Sequence, residues 1–197
     1  MTENTPYLIA GLGNPGPAYR QNRHNVGFMV VDRLAETAVI TIRRVESRAL
    51  IGKGEFAESP VYLAKPQTFM NDSGAAVGAL VSFYKLPLEH LLVVHDDLDL
   101  PFGTLRLRPY GGTGGQKGME SIVEKLGTRE FARLRVGIGR PPGRMDPRDY
   151  VLHDFDPPDV EQLPEVLATA VDAIRWFIRE GIESAMNEFN GSVIDED

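Results

Sequence analysis

Apolar and polar positions along the chain sort into short strand-like runs alternating with longer helical stripes. Tyr7–Gly11 (YLIAG) is a compact apolar run that enters a glycine and proline turn at residues 13–16, as a first strand would. Val26, Met29, Val30, Val31 and Leu34 recur at helical spacing and predict a helix over about 25–37. Residues 43–55 and 61–64 are shorter strand candidates. Ala76, Val77, Leu80, Val81 and Tyr84 mark the apolar side of a helix over 73–84. Residues 91–94 form an apolar strand that ends in His95-Asp96-Asp97. Thr104–Arg108 alternates like a strand at a sheet edge, and the glycine-rich loop 111–118 feeds a helix through Leu126. Residues 133–139 alternate basic and apolar positions and then become buried strand. Leu163, Val166, Leu167, Ala170, Ile174, Phe177 and Ile178 give one long stripe over 158–190, with Pro164 in its first turns and Asn190-Gly191 as its stop.

This alternation predicts one α/β domain, a twisted, mostly parallel (mixed) sheet flanked by helices. The domain is expected to span 1–191, with 192–197 fraying as an acidic tail. In such a sheet, chemistry belongs at the carboxyl ends of the strands.

Composition adds limits. At 197 residues, with 42% hydrophobic and 25% charged, the chain fits one well-filled core. Cysteine is absent, which rules out thiolate catalysis and a disulfide framework. The start of the chain lacks signal-peptide character, and no apolar run approaches membrane-spanning length. A cytoplasmic protein is the expectation.

Charge is segregated. The net −7 combines −2 over residues 1–100, +6 over 101–148 and −11 over 149–197. The basic middle is suited to phosphates while the acidic end faces away, although a solvated surface with an acidic tail is the plainer explanation.

Three loops carry candidate chemistry. Gly11-Leu12-Gly13-Asn14-Pro15-Gly16 matches G-x-G-x-x-G, but the helix starts roughly ten residues too late to put its N-terminus on a pyrophosphate. Lys65-Pro66-Gln67-Thr68-Phe69-Met70-Asn71 lies between strand and helix, so Asn71 is either a helix cap or an amide that recognises a substrate carbonyl or amide. In His95-Asp96-Asp97-Leu98-Asp99 the acids lack zinc or calcium ligand spacing. An aspartate there instead suits the orientation of an imidazole. His24, in Gln21-Asn22-Arg23-His24-Asn25-Val26, is the leading general base, against a structural role at the start of its helix. With no cysteine and no G-x-S-x-G elbow, water is the expected nucleophile.

Together these stretches resemble the bacterial-type peptidyl-tRNA hydrolase family over roughly residues 6–188. The resemblance rests on Leu12-Gly13-Asn14-Pro15-Gly16 with Tyr19, Arg23-His24-Asn25-Val26-Gly27-Phe28, and Lys65 to Asn71 with Ser73-Gly74. It continues through His95 to Pro101, Gly111-Gly112, Gly114-Gly115, Gly118, and Leu134 to Pro141. It implies a peptidyl-tRNA hydrolase-like fold and hydrolysis of the ester joining a peptide to the terminal ribose of tRNA, recycling tRNA after premature release from ribosomes. It maps His24 to the base and Asp96 to its orienting carboxylate. Asn14 and Asn71 match peptidyl-contacting asparagines, and Tyr19 and Met70 match cleft-wall positions.

The resemblance also implies a cytoplasmic monomer with no metal or cofactor. Gln116-Lys117 stands where the family often shows His-Asn, and Asn22 where it often shows Thr. Lysine cannot accept the hydrogen bond an asparagine carbonyl accepts, but it can pair with a phosphate or a developing negative charge. Lys117, Lys125, Arg129, Arg133, Arg140 and Arg144 are the candidate RNA contacts. The alternative is an RNA-binding protein of the same fold with weak or no hydrolase activity, as the family's organellar splicing relatives suggest.

Overall fold

The computed structural model describes residues 4–194. Eight strands form one sheet: β1 (Tyr7–Gly11), β2 (Arg44–Glu46), β3 (Ala49–Phe56), β4 (Ser59–Pro66), β5 (Leu91–Asp97), β6 (Thr104–Arg108), β7 (Ala132–Gly137) and β8 (Gly191–Ser192). Their order is β2-β3-β4-β1-β5-β7-β6-β8. The central four, β4, β1, β5 and β7, run parallel, and the flanking pairs are antiparallel.

The helices are α1 (Val26–Ala38), α2 (Ser73–Phe83), α3 (Lys117–Leu126), α4 (Pro147–Val151), α5 (Pro157–Glu180) and α6 (Ile182–Phe189). α1 and α5 cover one face of the sheet, and α2 and α3 the other. This explains why β5 reads Leu-Leu-Val-Val without alternation. Leu92 and Val94 enter the core under α1 and α5, while Leu91 and Val93 enter the core under α2 and α3. A parallel strand covered on both faces has no polar side.

Four sequence expectations change. The single strand over 43–55 is a hairpin, β2 and β3, turning at Ser47 and Arg48, both with positive φ. Ala57 and Glu58 turn β3 into β4 in the same way. Neither turn has the Asn-Gly or Asp-Gly signal that usually betrays this geometry.

The helical stripe over 158–190 is two helices. Gly181, at φ 84 and ψ 171, leaves the helical region and lets α6 fold back on α5. Trp176 then meets Phe189 edge-to-face and donates to Ser184. Pro164 lies inside α5 without ending it.

β6 is not a bare edge. Gly191–Ser192 pairs with it, and the Asn190 side chain makes reciprocal hydrogen bonds with the Leu107 backbone. The expected fraying from Ser192 therefore fails for 192–194, because the Val193 N–H also donates to the Gly103 carbonyl. Residues 195–197 of that tail lie outside the described residues.

Candidate active site

The carboxyl ends of β1, β4 and β5 open into one cleft of about 670 Å³. Its lining includes Asn14, Tyr19, His24, Met70, Asn71, Asp96 and Lys117, so all the expected catalytic and substrate-contact residues are brought together there.

His24 sits in a single 3-10 turn, Arg23–Asn25, just ahead of α1. That turn is stitched to the segment between α4 and α5. The Arg23 N–H donates to the His153 carbonyl, and Asn22 bridges to Asp154 through backbone and side chain. The buried Arg23 guanidinium stacks over Tyr150 and pairs with Asp156. α1 can start this close to the sheet because Gly27 has no Cβ; one there would lie 2.4 Å from the Val94 carbonyl oxygen.

Asp96, buried near the end of β5, accepts from His24 Nδ1 on Oδ2 at 2.8 Å. In the neutral ring, Nδ1 therefore carries the proton and Nε2 is left as the acceptor. Burial pushes the His24 pKa down, but the Asp96 charge and its hydrogen bond outweigh that, and the net direction is upward. His95 has a different role. It is buried, its Nδ1 bonds the Asp96 carbonyl oxygen, and burial drives its pKa down, which keeps the ring neutral.

Asn14 is held by Asn25. The Asn14 N–H donates to Asn25 Oδ1, and Asn25 Nδ2 donates to the Asn14 carbonyl, both at 2.9 Å. Asn14 Oδ1 accepts from the Met70 N–H at 2.7 Å. Its Nδ2 is therefore the group left to donate into the cleft.

Asn71 is exposed in the cleft. Neither it nor Asp72 makes a side-chain cap on α2, so the capping alternative does not hold among the described residues. Met70 is buried, with its sulfur near Ser73 Oγ and Gln116 Nε2.

Sequence reasoning missed three parts of this site. Gln116 is one: its Nε2 donates to Asp96 Oδ1 at 3.1 Å and its Oε1 caps α3 through the Met119 N–H at 2.7 Å. Asn25 is the second. The third is the wall formed by Pro147, Arg148, Val151 and Leu152 of α4 and its end. Asp146-Pro147 was a readable start signal for that helix, since the Asp146 side chain accepts from the Arg148 N–H and Pro147 occupies the first turn.

The candidate RNA contacts divide. Arg133 is corrected: it is 1% exposed and donates to the carbonyls of Gly111, Gly112, Arg129 and Phe131. Burial, with Arg135 and Arg129 nearby, lowers its pKa to about 10, so it stays charged at neutral pH. It is a strut beneath the glycine loop and is closed to RNA. Lys117 pairs with Glu120, and Arg140 with Asp99. Lys125, Arg129 and Arg144 are exposed and form no salt bridge among the described residues. Asp97 pairs with Arg135, and no three His or acidic side chains converge among the described residues.

The chain is similar to known proteins over nearly its whole length. The peptidyl-tRNA hydrolase family profile matches residues 8–197. The peptidyl-tRNA hydrolase of Frankia casuarinae is 50% identical over 96% of this chain and 96% of its own. A chloroplastic group IIB intron splicing facilitator of Zea mays is 47% identical over 95% of this chain and 74% of its own. The crystal structure of peptidyl-tRNA hydrolase from Acinetobacter baumannii superposes with a TM-score of 0.90 at 33% identity, covering 98% of this chain and all of that one. The chain therefore belongs to the peptidyl-tRNA hydrolase family, enzymes that cleave the ester between peptide and tRNA.

Proposed function

We propose that the chain hydrolyses this ester with a water molecule activated by His24. The observation that carries the mechanism is the 2.8 Å contact between His24 Nδ1 and a buried Asp96, which leaves Nε2 facing the cleft. Nε2 takes a proton from water as the oxygen attacks the ester carbonyl. Asp96 stabilises the imidazolium that forms. The carbonyl oxygen becomes an oxyanion, and Asn71, whose side chain makes no hydrogen bond among the described residues, donates to it. Such a donor is typically worth about 3–4 kcal/mol when well placed. The intermediate collapses, the ribose oxygen leaves with the proton from the imidazolium, and the peptide acid gives its remaining proton to solvent and departs as the carboxylate. The Asn14 amide orients the peptide, with Tyr19 and Met70 as walls. Lys117 stands at the cleft edge for a phosphate.

Lys125, Arg129 and Arg144 are the strongest RNA candidates, with Lys117 and Arg140 after exchange of their acidic partners. A phosphate-directed footprint suits an enzyme that accepts many tRNAs. A cytoplasmic monomer recycling tRNA after premature release completes the proposal, and sedimentation tests the monomer. The splicing-facilitator alternative is not favoured, since His24, Asp96, Asn14 and Asn71 form one assembled site.

The test follows release of N-acylamino acid from N-acylaminoacyl-tRNA. His24→Ala is expected to lower kcat by roughly 10²–10⁴-fold. Full activity in a folded His24→Ala protein would remove His24 as the base. No release by the wild type would remove hydrolysis itself.

A further inference from the structure

We infer that Gln116 is a positioning residue of the reaction, a neutral clamp that holds Asp96 from the side opposite His24. The inference rests on His24 as the base.

Asp96 is bracketed: Oδ2 receives His24 Nδ1 at 2.8 Å and Oδ1 receives Gln116 Nε2 at 3.1 Å. The other end of the same amide, Oε1, accepts from the Met119 N–H at 2.7 Å. Only one orientation of the amide satisfies both partners, because a carboxylate must be given a donor and a backbone N–H an acceptor. The side chain therefore ties the carboxylate to the first turn of α3.

The residue type supports two tasks. Helix N-caps are normally Ser, Thr, Asp or Asn, whose short side chains reach only their own helix. Glutamine is a poorer cap, but it is long enough to cap α3 with one end and touch Asp96 with the other. The surroundings fix its place. Gly114 and Gly115 have positive φ, which turns the chain into α3. A Cβ on Gly118 would lie 2.6 Å from Met70 sulfur and 3.0 Å from Gln116 Oε1, so glycine there lets α3 sit close against both side chains. Beneath the loop, Arg133 holds the Gly111 and Gly112 carbonyls.

An uncharged donor fixes the carboxylate and shares its charge without cancelling it. Asp96 remains an anion able to steady the imidazolium. Among the described residues the other charged or titratable groups around His24 include Tyr19, Asp97, Lys117 and Arg148 in the cleft, His95 against the Asp96 backbone, and Arg23, His153, Asp154 and Asp156 in or behind its turn. Asp97 is held by Arg135 and Lys117 by Glu120.

Two variants separate positioning from capping. Gln116→Glu keeps the reach and the cap acceptor, but when ionised it has no donor for Asp96 and sets a second negative charge beside it. Gln116→Ser keeps a cap and loses the reach. Both are expected to hold the wild-type Tm within a few degrees and the wild-type KM within about twofold. Both should lose roughly tenfold or more in kcat, the scale of losing an outer partner of a functional ligand. In Gln116→Glu the acid limb of the pH–rate profile should also move up by about one unit, because an added negative charge nearby favours the imidazolium.

Wild-type kcat and an unmoved acid limb in Gln116→Glu would overturn the inference. So would a kcat loss in both variants that only tracks a lowered Tm, which is the signature of capping alone. His24→Ala is measured in parallel. If it is inactive while Gln116→Glu behaves as wild type, only the clamp falls; if it is active, the base assignment falls.

Discussion

At the scale of single residues, the proposed mechanism depends on the protonation of one imidazole. The Asp96 carboxylate raises the His24 pKa above the ordinary imidazole value despite the opposing effect of burial. In the proposed mechanism the base is the neutral ring, so activity is expected to fall as pH drops through that raised value. The acid limb of kcat/KM is expected above about 6.5. Asp96→Asn removes the raising charge and leaves burial in control, so its acid limb should lie at lower pH, with a reduced plateau and an intact fold. Arg133 makes a contrasting prediction. Arg133→Ala strips four carbonyls of a charged donor inside the protein. It should cost at least about 2 kcal/mol of stability, read as a lower Tm, and should leave the salt dependence of tRNA binding unchanged.

At the scale of elements, most strands and helices that carry the site were legible, while α4 was missed and the turns between the elements were hidden. β1 and β5 could be read as short continuous apolar runs and α2 and α3 as longer apolar stretches behind polar or glycine-rich loops, and the loops that follow β1, β4 and β5 carry most of the site residues. The β2–β3 turn was hidden because Ser47 and Arg48 give no sign of their positive φ. The break at Gly181 was hidden by an apolar stripe that continues across it. Gln116 was visible only as a departure from a motif, since its two partners, Asp96 and Met119, lie in different elements. Asn25 was missed for the same reason: its partner, Asn14, is brought near only by folding. Close approach of α1 to the sheet yields a prediction at this scale. Gly27→Ala would place a Cβ 2.5 Å from the Leu12 nitrogen, pushing α1 and the His24 turn off β1 and β5. About 1–3 kcal/mol of stability should be lost, with a larger fall in kcat than in substrate affinity. Val39 tests the opposite direction. It ends α1 at φ 55, a conformation costly for a β-branched side chain, and it is almost fully exposed. Val39→Gly should raise stability by about 1 kcal/mol in a denaturation curve.

At the scale of the molecule, charge is divided between segments of the chain. The basic 101–148 segment supplies β6, the glycine loop, α3, β7 and one wall of the cleft, while the acidic final segment supplies α5 and α6. The net charge of −7 therefore conceals a basic stretch whose exposed cations, Lys125, Arg129 and Arg144, lie outside the acidic helices α5 and α6. Binding of tRNA should weaken as salt rises, and Arg144→Ala should reduce the slope of log affinity against log salt by roughly one. All of this serves the pairing of one imidazole with one carboxylate. The pH dependence of kcat/KM for N-acylaminoacyl-tRNA, compared between wild type and Asp96→Asn, tests that pairing most directly. An acid limb that moves to lower pH in the variant, with a smaller plateau, is the predicted result. Superimposable limbs with equal plateaus would contradict it.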